Sequence, residues 1–256
     1  MKKTFGIETV WIKGKKMVLG LFLCSIIGLI LASCEKPEVT FNKGVSLYNN
    51  GDWEKAVSNF NKVIEKEPAY KQAYLYRGMA YRQLKQNMKA VDDLTQAIKE
   101  DEAEFLAFCE RGFCYYDLEE YEEAAADLQY YVNKADTAGV DAYRILGKAY
   151  FFLEQSRNAI NAFTKALNIA PDDFESYANR GLSYYNVSDY NAALRDLTKA
   201  LEIEPNNEGV QAGLAAANEA IAKQQANAFW DWVSPYVNNS MQNALDRQNR
   251  KINQGW

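Results

Sequence analysis

The chain is 256 residues long, with 34 acidic and 29 basic side chains, a net charge of −5 and no histidine. The missing imidazole removes histidine-based triads, general bases and metal ligands, and no glycine-rich phosphate loop stands in their place, so no cofactor, metal or catalytic centre is expected. The acidic balance also argues against nucleic acid, whose phosphates call for a basic face.

The first element is an apolar run. Lys2, Lys3, Lys13, Lys15 and Lys16 precede Met17–Ala32, sixteen residues almost without polar interruption, and the chain turns polar at Glu35-Lys36-Pro37. Basic, apolar and then small residues make the pattern of a secretory signal, and sixteen residues fall short of the roughly 20 that span a bilayer. Leu31-Ala32-Ser33-Cys34 resembles a bacterial lipobox. That resemblance implies cleavage before Cys34 and transfer of a diacylglycerol to its thiol, so residues 1–33 are expected to leave as a signal peptide; an uncleaved anchor helix is the alternative. Loss of residues 1–33 moves the net charge from −5 to −9. Acyl chains rather than surface charge would then hold the protein to a membrane. Glu35 after the cysteine, in place of aspartate, is compatible with passage to the outer membrane, facing the periplasm or outward.

From Pro37 onward a register repeats. Gly44/Ala56, Gly78/Ala90, Gly112/Ala124, Gly147/Ala159 and Gly181/Ala193 recur at spacings of 34, 34, 35 and 34, each alanine twelve residues after its glycine. A fixed period of this size marks one supersecondary unit copied in tandem, each copy burying its apolar face on the next. A large residue follows each glycine by three (Leu47, Tyr81, Tyr115, Tyr150, Tyr184) and each alanine by four (Phe60, Leu94, Leu128, Phe163, Leu197). Glycine permits close helix approach and the large side chain fills the space beside it. Apolar residues return three or four apart, as in Ala193, Leu194, Leu197, Ala200 and Leu201, which is helical periodicity, and two helices fit in each copy.

This set of small and large positions resembles the tetratricopeptide repeat over Pro37–Asn207, in copies 37–70, 71–104, 105–139, 140–173 and 174–207. Tyr74, Phe108, Tyr143 and Tyr177 fill the family's first large position, with Thr40 in the first copy; Pro68, Pro171 and Pro205 end second helices, where the middle copies carry Glu102 and Asp136. The third copy has one extra residue within 133–139, where a local change in stacking is expected. The resemblance implies an all-α fold, a right-handed superhelical α-solenoid of five helix-turn-helix units, with a partner-binding groove lined by the first helix of each. Carried over by position, the lining is Phe41, Val45, Tyr48 and Asn49, then Leu75, Met79, Arg82 and Gln83; Leu106, Cys109, Phe113, Tyr116 and Asp117; Arg144, Lys148, Phe151 and Phe152; and Ala178, Leu182, Tyr185 and Asn186. Such an aromatic lining with few charges suits an extended segment or amphipathic helix of another envelope protein. Any single aromatic there could equally be packing between repeats. Arg144 and Lys148 are similar to one side of a carboxylate clamp, but the clamp's asparagine and neighbouring lysines are not matched. Arg77, Arg111 and Arg180, each just before a repeat glycine, are expected to make structural contacts between helices.

Eleven acids between Glu100 and Asp127 face the single base Arg111, a pattern of a solvated face on which a basic partner could dock. Cys109 and Cys114 stand five residues apart on one helix, about 7.5 Å along its axis and beyond disulfide reach, so both are expected to be packing residues. Residues 208–225 are alanine-rich and suit a helix capping the last repeat. In the tail, 226–256, Phe229-Trp230-Asp231-Trp232 precede Pro235 and a Val237, Met241, Leu245, Ile252 stripe ending in Trp256; these residues are expected to fold back on the solenoid or bind a partner. The reading is a lipid-anchored protein-interaction scaffold of the bacterial envelope and not an enzyme, its oligomeric state open. A lipoprotein that binds glycan or wall fragments, or one that self-assembles, is the alternative.

Overall fold

The computed structural model describes residues 9–12, 15–18, 36–100, 104–135 and 137–253, the side chains of 9–18 and 249–253 apart. Two short strands come first, β1 (Thr9–Ile12) and β2 (Lys15–Val18), paired antiparallel with Thr9 opposite Val18 and Ile12 opposite Lys15. The sequence pattern predicts no strand here; β1, Thr-Val-Trp-Ile, consists of β-branched and aromatic residues, which favour extended backbone. Most of the expected signal, including the lipobox and Cys34, lies outside the described residues.

Every regular element described after Lys36 is a helix. The helices are α1 (Pro37–Asn49), α2 (Trp53–Lys66), α3 (Lys71–Gln83), α4 (Asn87–Glu100), α5 (Phe105–Asp117), α6 (Tyr121–Lys134), α7 (Val140–Phe152), α8 (Ser156–Ile169), α9 (Phe174–Asn186), α10 (Tyr190–Ile203) and α11 (Glu208–Asn253). Each expected repeat is one antiparallel pair, and each pair begins within a residue of its expected boundary. The fold is an α-solenoid of tandem helical hairpins in two compact units, residues 1–107 and 108–256.

The repeating glycine has a physical reason in both units. A Cβ on Gly44 would come within 2.6 Å of the Phe60 ring, and Cβ atoms on Gly78, Gly112, Gly147 and Gly181 would meet Leu94, Leu128, Phe163 and Leu197 at 2.7–2.8 Å. Those five large side chains, and Ala56, Ala90, Ala124, Ala159 and Ala193 on the same second helices, have no exposed surface. Small against large is therefore the packing rule of each hairpin, and it explains the sequence register.

Turn geometry repeats as strictly. Two residues past the first helix of every pair stands a residue of left-handed conformation: Gly51 (φ 81°), Lys85 (58°), Glu119 (63°), Glu154 (58°) and Ser188 (61°). The next residue donates its backbone N–H back across the turn, as Asp52 to Leu47 O (2.9 Å) and Gln155 to Tyr150 O (2.9 Å), which satisfies carbonyls that the helix end would leave open. Second helices α2, α8 and α10 stop two residues before Pro68, Pro171 and Pro205, as expected; Glu102 and Asp136, in the same places of the middle copies, lie outside the described residues. The extra residue of the third copy falls in the connection between α6 and α7, which leaves α6 at fourteen residues like the other second helices.

The end of the chain differs from its expected division. The capping segment 208–225 and the tail form one helix, α11, with Pro235 inside it. Asn207 caps its start by accepting the Val210 N–H (3.1 Å), and Val210 and Ala217 are buried against Ala193, Leu197 and Ala200 of α10. Beyond Ala217 no described side chain is buried. A proline removes one helical hydrogen bond without ending a helix whose other residues still form theirs.

Candidate functional site

In the first unit, α1 and α3 present the residues assigned to a groove. Phe41, Val45 and Tyr48 are half-buried, as are Met79, Arg82 and Gln83, and Asn49 is exposed. Leu75 is only 4% exposed and is a core residue, which corrects its assignment to the lining. The rings here interlock: Phe41 lies 5.8 Å from Phe60, 5.1 Å from Tyr70 and 5.5 Å from Tyr76, and Tyr76 also meets Tyr48 and Phe60 at 6.0 Å. Aromatic pairs in such arrangements contribute about 0.5–1.5 kcal/mol each beyond burial. Phe41 and Tyr48 therefore hold repeat one to repeat two.

The second unit carries a more open surface. Phe152 at the end of α7 is 52% exposed, and its ring stacks on Tyr121 at 4.6 Å with 12° between planes. Tyr116 closes the group, 5.7 Å from Tyr121 and 6.3 Å from Phe152, while Phe151 meets Phe152 edge-on at 6.0 Å. Asp117 is exposed beside them and Phe113 half-buried. Burial, then the neighbouring Tyr121, Glu175 and Asp117, raises the Tyr116 phenol above its ordinary pKa and keeps it protonated. Tyr121 opens a second helix and so escaped a reading confined to first helices. Its signal is the five-residue spacing after Tyr116, which Tyr185 and Tyr190 repeat with rings 5.3 Å apart.

Arg144 and Lys148 do not stand ready for a ligand carboxylate. Arg144 bonds Asp173 (2.8 Å) and Asp141 and lies 3.6 Å from Glu175, and Lys148 bonds Glu175. Asp173 also caps α9 through the Ser176 N–H (2.9 Å), so the cluster ties α7 to the start of α9. Leu182 and Tyr185 are half-buried and Asn186 is exposed. Tyr185 and Tyr190 border a hollow of about 450 Å³ whose far wall is α11, at Glu219, Lys223 and Asn227. Cys109 and Ala178, two other lining positions, are 5% and 7% exposed; Cys109 and Cys114 are both buried and form no disulfide with each other, as the helical spacing requires.

The arginines before the glycines make one construction three times. Arg77, Arg111 and Arg180 grip Asp93, Asp127 and Asp196 through two bonds of 2.6–3.0 Å. Each guanidinium also lies 5.5–6.0 Å from two rings: Tyr74 and Tyr81, Phe108 and Tyr115, Tyr177 and Tyr184. Arg77 reaches back to Asn61 (2.6 Å) and Arg180 to Thr164 (3.0 Å), each on the preceding repeat. Burial opposes the guanidinium charge, but the bonded carboxylate outweighs it and raises all three arginines above their ordinary pKa.

The α11 face beyond the cap is apolar and exposed: Phe229, Trp230, Trp232 and Tyr236 are 56–64% accessible. They do not fold back on the repeats, contrary to that expectation; Trp256 lies outside the described residues. Among the described residues no helix is long and apolar enough to cross a membrane.

Family models described as tetratricopeptide repeat match residues 41–90, 140–173 and 174–207, the last two coinciding with the fourth and fifth helix pairs. A curated relative, an uncharacterized protein of Methanocaldococcus jannaschii, is 44% identical over 50 residues, 20% of this chain; the chain spans 58% of that relative's length. Among solved structures, a MamA protein is 25% identical with a TM-score of 0.60, over 66% of this chain and 92% of that one. MamA of Desulfovibrio magneticus, residue 41 to its end, is 24% identical with a TM-score of 0.61, over 68% and 98%. YrrB, described as a TPR protein with an unusual peptide-binding site, is 20% identical with a TM-score of 0.65, over 72% and 95%. Matching repeat models, the five-fold helix register and these solenoid neighbours agree: the chain is a tetratricopeptide repeat protein.

Proposed function

We propose that this chain is a non-catalytic scaffold, lipid-anchored through Cys34 in the bacterial envelope at the outer membrane, that binds an extended segment or amphipathic helix of another envelope protein. The observation that carries the binding surface is the ring group Tyr116, Tyr121 and Phe152. It combines a half-exposed stacked face with cations that the chain already neutralises, so it offers apolar area at little charge cost. The peptide-binding site named for YrrB supports a peptide ligand on this fold. The lipobox resemblance at Leu31–Cys34 supports the anchor.

The test is crosslinking in the native cell, with captured proteins identified and a Cys34→Ala form as control. One defined envelope protein, captured only by the anchored form and weakened at least about tenfold by Tyr116→Ala with Phe152→Ala at unchanged helicity, is the expected result. Undiminished capture by the ring variant would falsify the surface; a Cys34→Ala protein that still fractionates with membranes would remove the anchor.

A further inference from the structure

The arginine clamp is absent from repeat four, and its absence leaves a vacant slot. Tyr143 and Tyr150 occupy the ring positions that flank the guanidinium in repeats two, three and five, but Leu146 stands where the arginine would be and Ala162 where the aspartate would be. Both are buried, at 2% and 5%, and they floor a hollow of about 390 Å³ whose walls are α6, α7 and α8. The backward bond that Arg77 and Arg180 make to a preceding repeat is supplied differently. The Tyr150 hydroxyl donates to Gln129 Oε1 (3.1 Å), and Gln129 Nε2 donates to Asn133 Oδ1 (3.0 Å). Repeat three is thus joined to repeat four while the hollow over Leu146 and Ala162 stays open beside the rings.

The lining selects a ligand by its chemistry. Tyr143 and Tyr150 are half-buried, leaving ring surface to the hollow, and Asn133, Asn158 and Asn161 put amides on its walls, each able to donate and accept. No carboxylate lines it, so a guanidinium or ammonium would find none of the compensation that Asp93, Asp127 and Asp196 give the other repeats. Lys165 is the single charged lining residue, and it is exposed, too little to bind an anion as a built site does. The volume falls in the range of small-molecule sites. We propose that this slot binds an uncharged ring bearing hydroxyl and acetamido groups, a carbohydrate of N-acetylhexosamine type, with its apolar face against a tyrosine and its polar rim on the amides.

The test titrates the intact chain with N,N′-diacetylchitobiose and follows the tyrosine ring and side-chain amide signals by NMR. Saturable shifts at Tyr143, Tyr150, Asn158 and Asn161 are expected. Leu146→Arg with Ala162→Asp, which rebuilds the clamp used by three other repeats, should retain the fold and weaken binding at least about tenfold. Should that protein not fold, Asn161→Leu on the exposed side of α8 replaces it, with the same loss expected. Absence of saturable shifts, equal affinity in the rebuilt or Asn161→Leu protein, or preferential binding of arginine methyl ester would each overturn the proposal. Tyr116→Ala with Phe152→Ala should leave disaccharide binding intact, so failure of the peptide surface and failure of this slot are read separately.

Discussion

The repeats and the far half of α11 are equally helical, yet they treat their aromatic residues in opposite ways. Within each unit the repeats bury a phenylalanine or leucine completely against a glycine one helix away. In α11, Phe229, Trp230, Trp232 and Tyr236 stay more than half exposed, their rings meeting along one helix with centroids 5.6–6.4 Å apart. Helicity is local, whereas stability comes from the apolar area that a second element removes from water. A long helix extending from a capped repeat can therefore persist without adding to the stability of the repeats.

The largest expected effect tests that contrast directly. Phe163→Ala empties a site with no exposed surface and should cost about 3–5 kcal/mol in denaturant unfolding. Trp230→Ala removes a larger side chain that is 62% exposed and should change stability by no more than about 0.5 kcal/mol. A loss above 1 kcal/mol in the tryptophan variant, by the same measurement, would mean that α11 is covered in solution.

What could be read from the sequence follows the same division. The glycine, alanine and large-residue register was legible because each member answers to a close contact inside one hairpin, and those constraints recur at a fixed spacing. Helix ends near Pro68, Pro171 and Pro205 were legible for a local reason too, since a proline disfavours a helical conformation in the preceding residue. Features that depend on distant partners were not. Asp173 and Glu175 lie 29 and 27 residues from the cations they neutralise, so beyond the Asp141–Arg144 pair on one helix no local motif announces that Arg144 and Lys148 are already engaged. Leu75 has the periodicity of a lining residue, and only the arrangement of neighbouring helices decides that it is buried. The division between 225 and 226 followed a change from alanine-rich to aromatic composition, and composition alone does not end a helix whose backbone bonds continue.

A smaller effect separates the arginine clamps from ordinary surface ion pairs. Arg180→Leu leaves Asp196 at 8% exposure without its partner and should cost about 2–3 kcal/mol in thermal unfolding. Adding Asp196→Ala reproduces the Leu146 and Ala162 arrangement of repeat four, and most of that loss should return because no carboxylate is then stranded. A double variant as unstable as the single one would show that the clamp contributes by attraction and packing rather than by avoiding an unpaired charge. In α11, where Lys223 and Asp231 are exposed, no comparable pair of substitutions should move the unfolding temperature.

The smallest effect concerns backbone strain, and it puts a turn against a helix interior. Glu154 holds φ at 58°, where a Cβ crowds the backbone at about 1–2 kcal/mol. Glu154→Gly removes that crowding, and the greater freedom of glycine in the unfolded chain returns part of it, so a net gain of about 0.5 kcal/mol is expected. Gly51→Ala is the mirror experiment: its Cβ would meet nothing within 4 Å, so any loss, about 1 kcal/mol, comes from the left-handed φ of 81° alone. Pro235→Ala relieves a larger local defect, about 3 kcal/mol in a helix interior. It should nevertheless leave the unfolding temperature unmoved and raise only the helical circular dichroism signal, because residues beyond Ala217 lie outside the packed repeats. If the proline variant gained more unfolding temperature than Glu154→Gly, the distal helix would belong to the cooperative unit, and the contrast between packed repeats and free helix would fail.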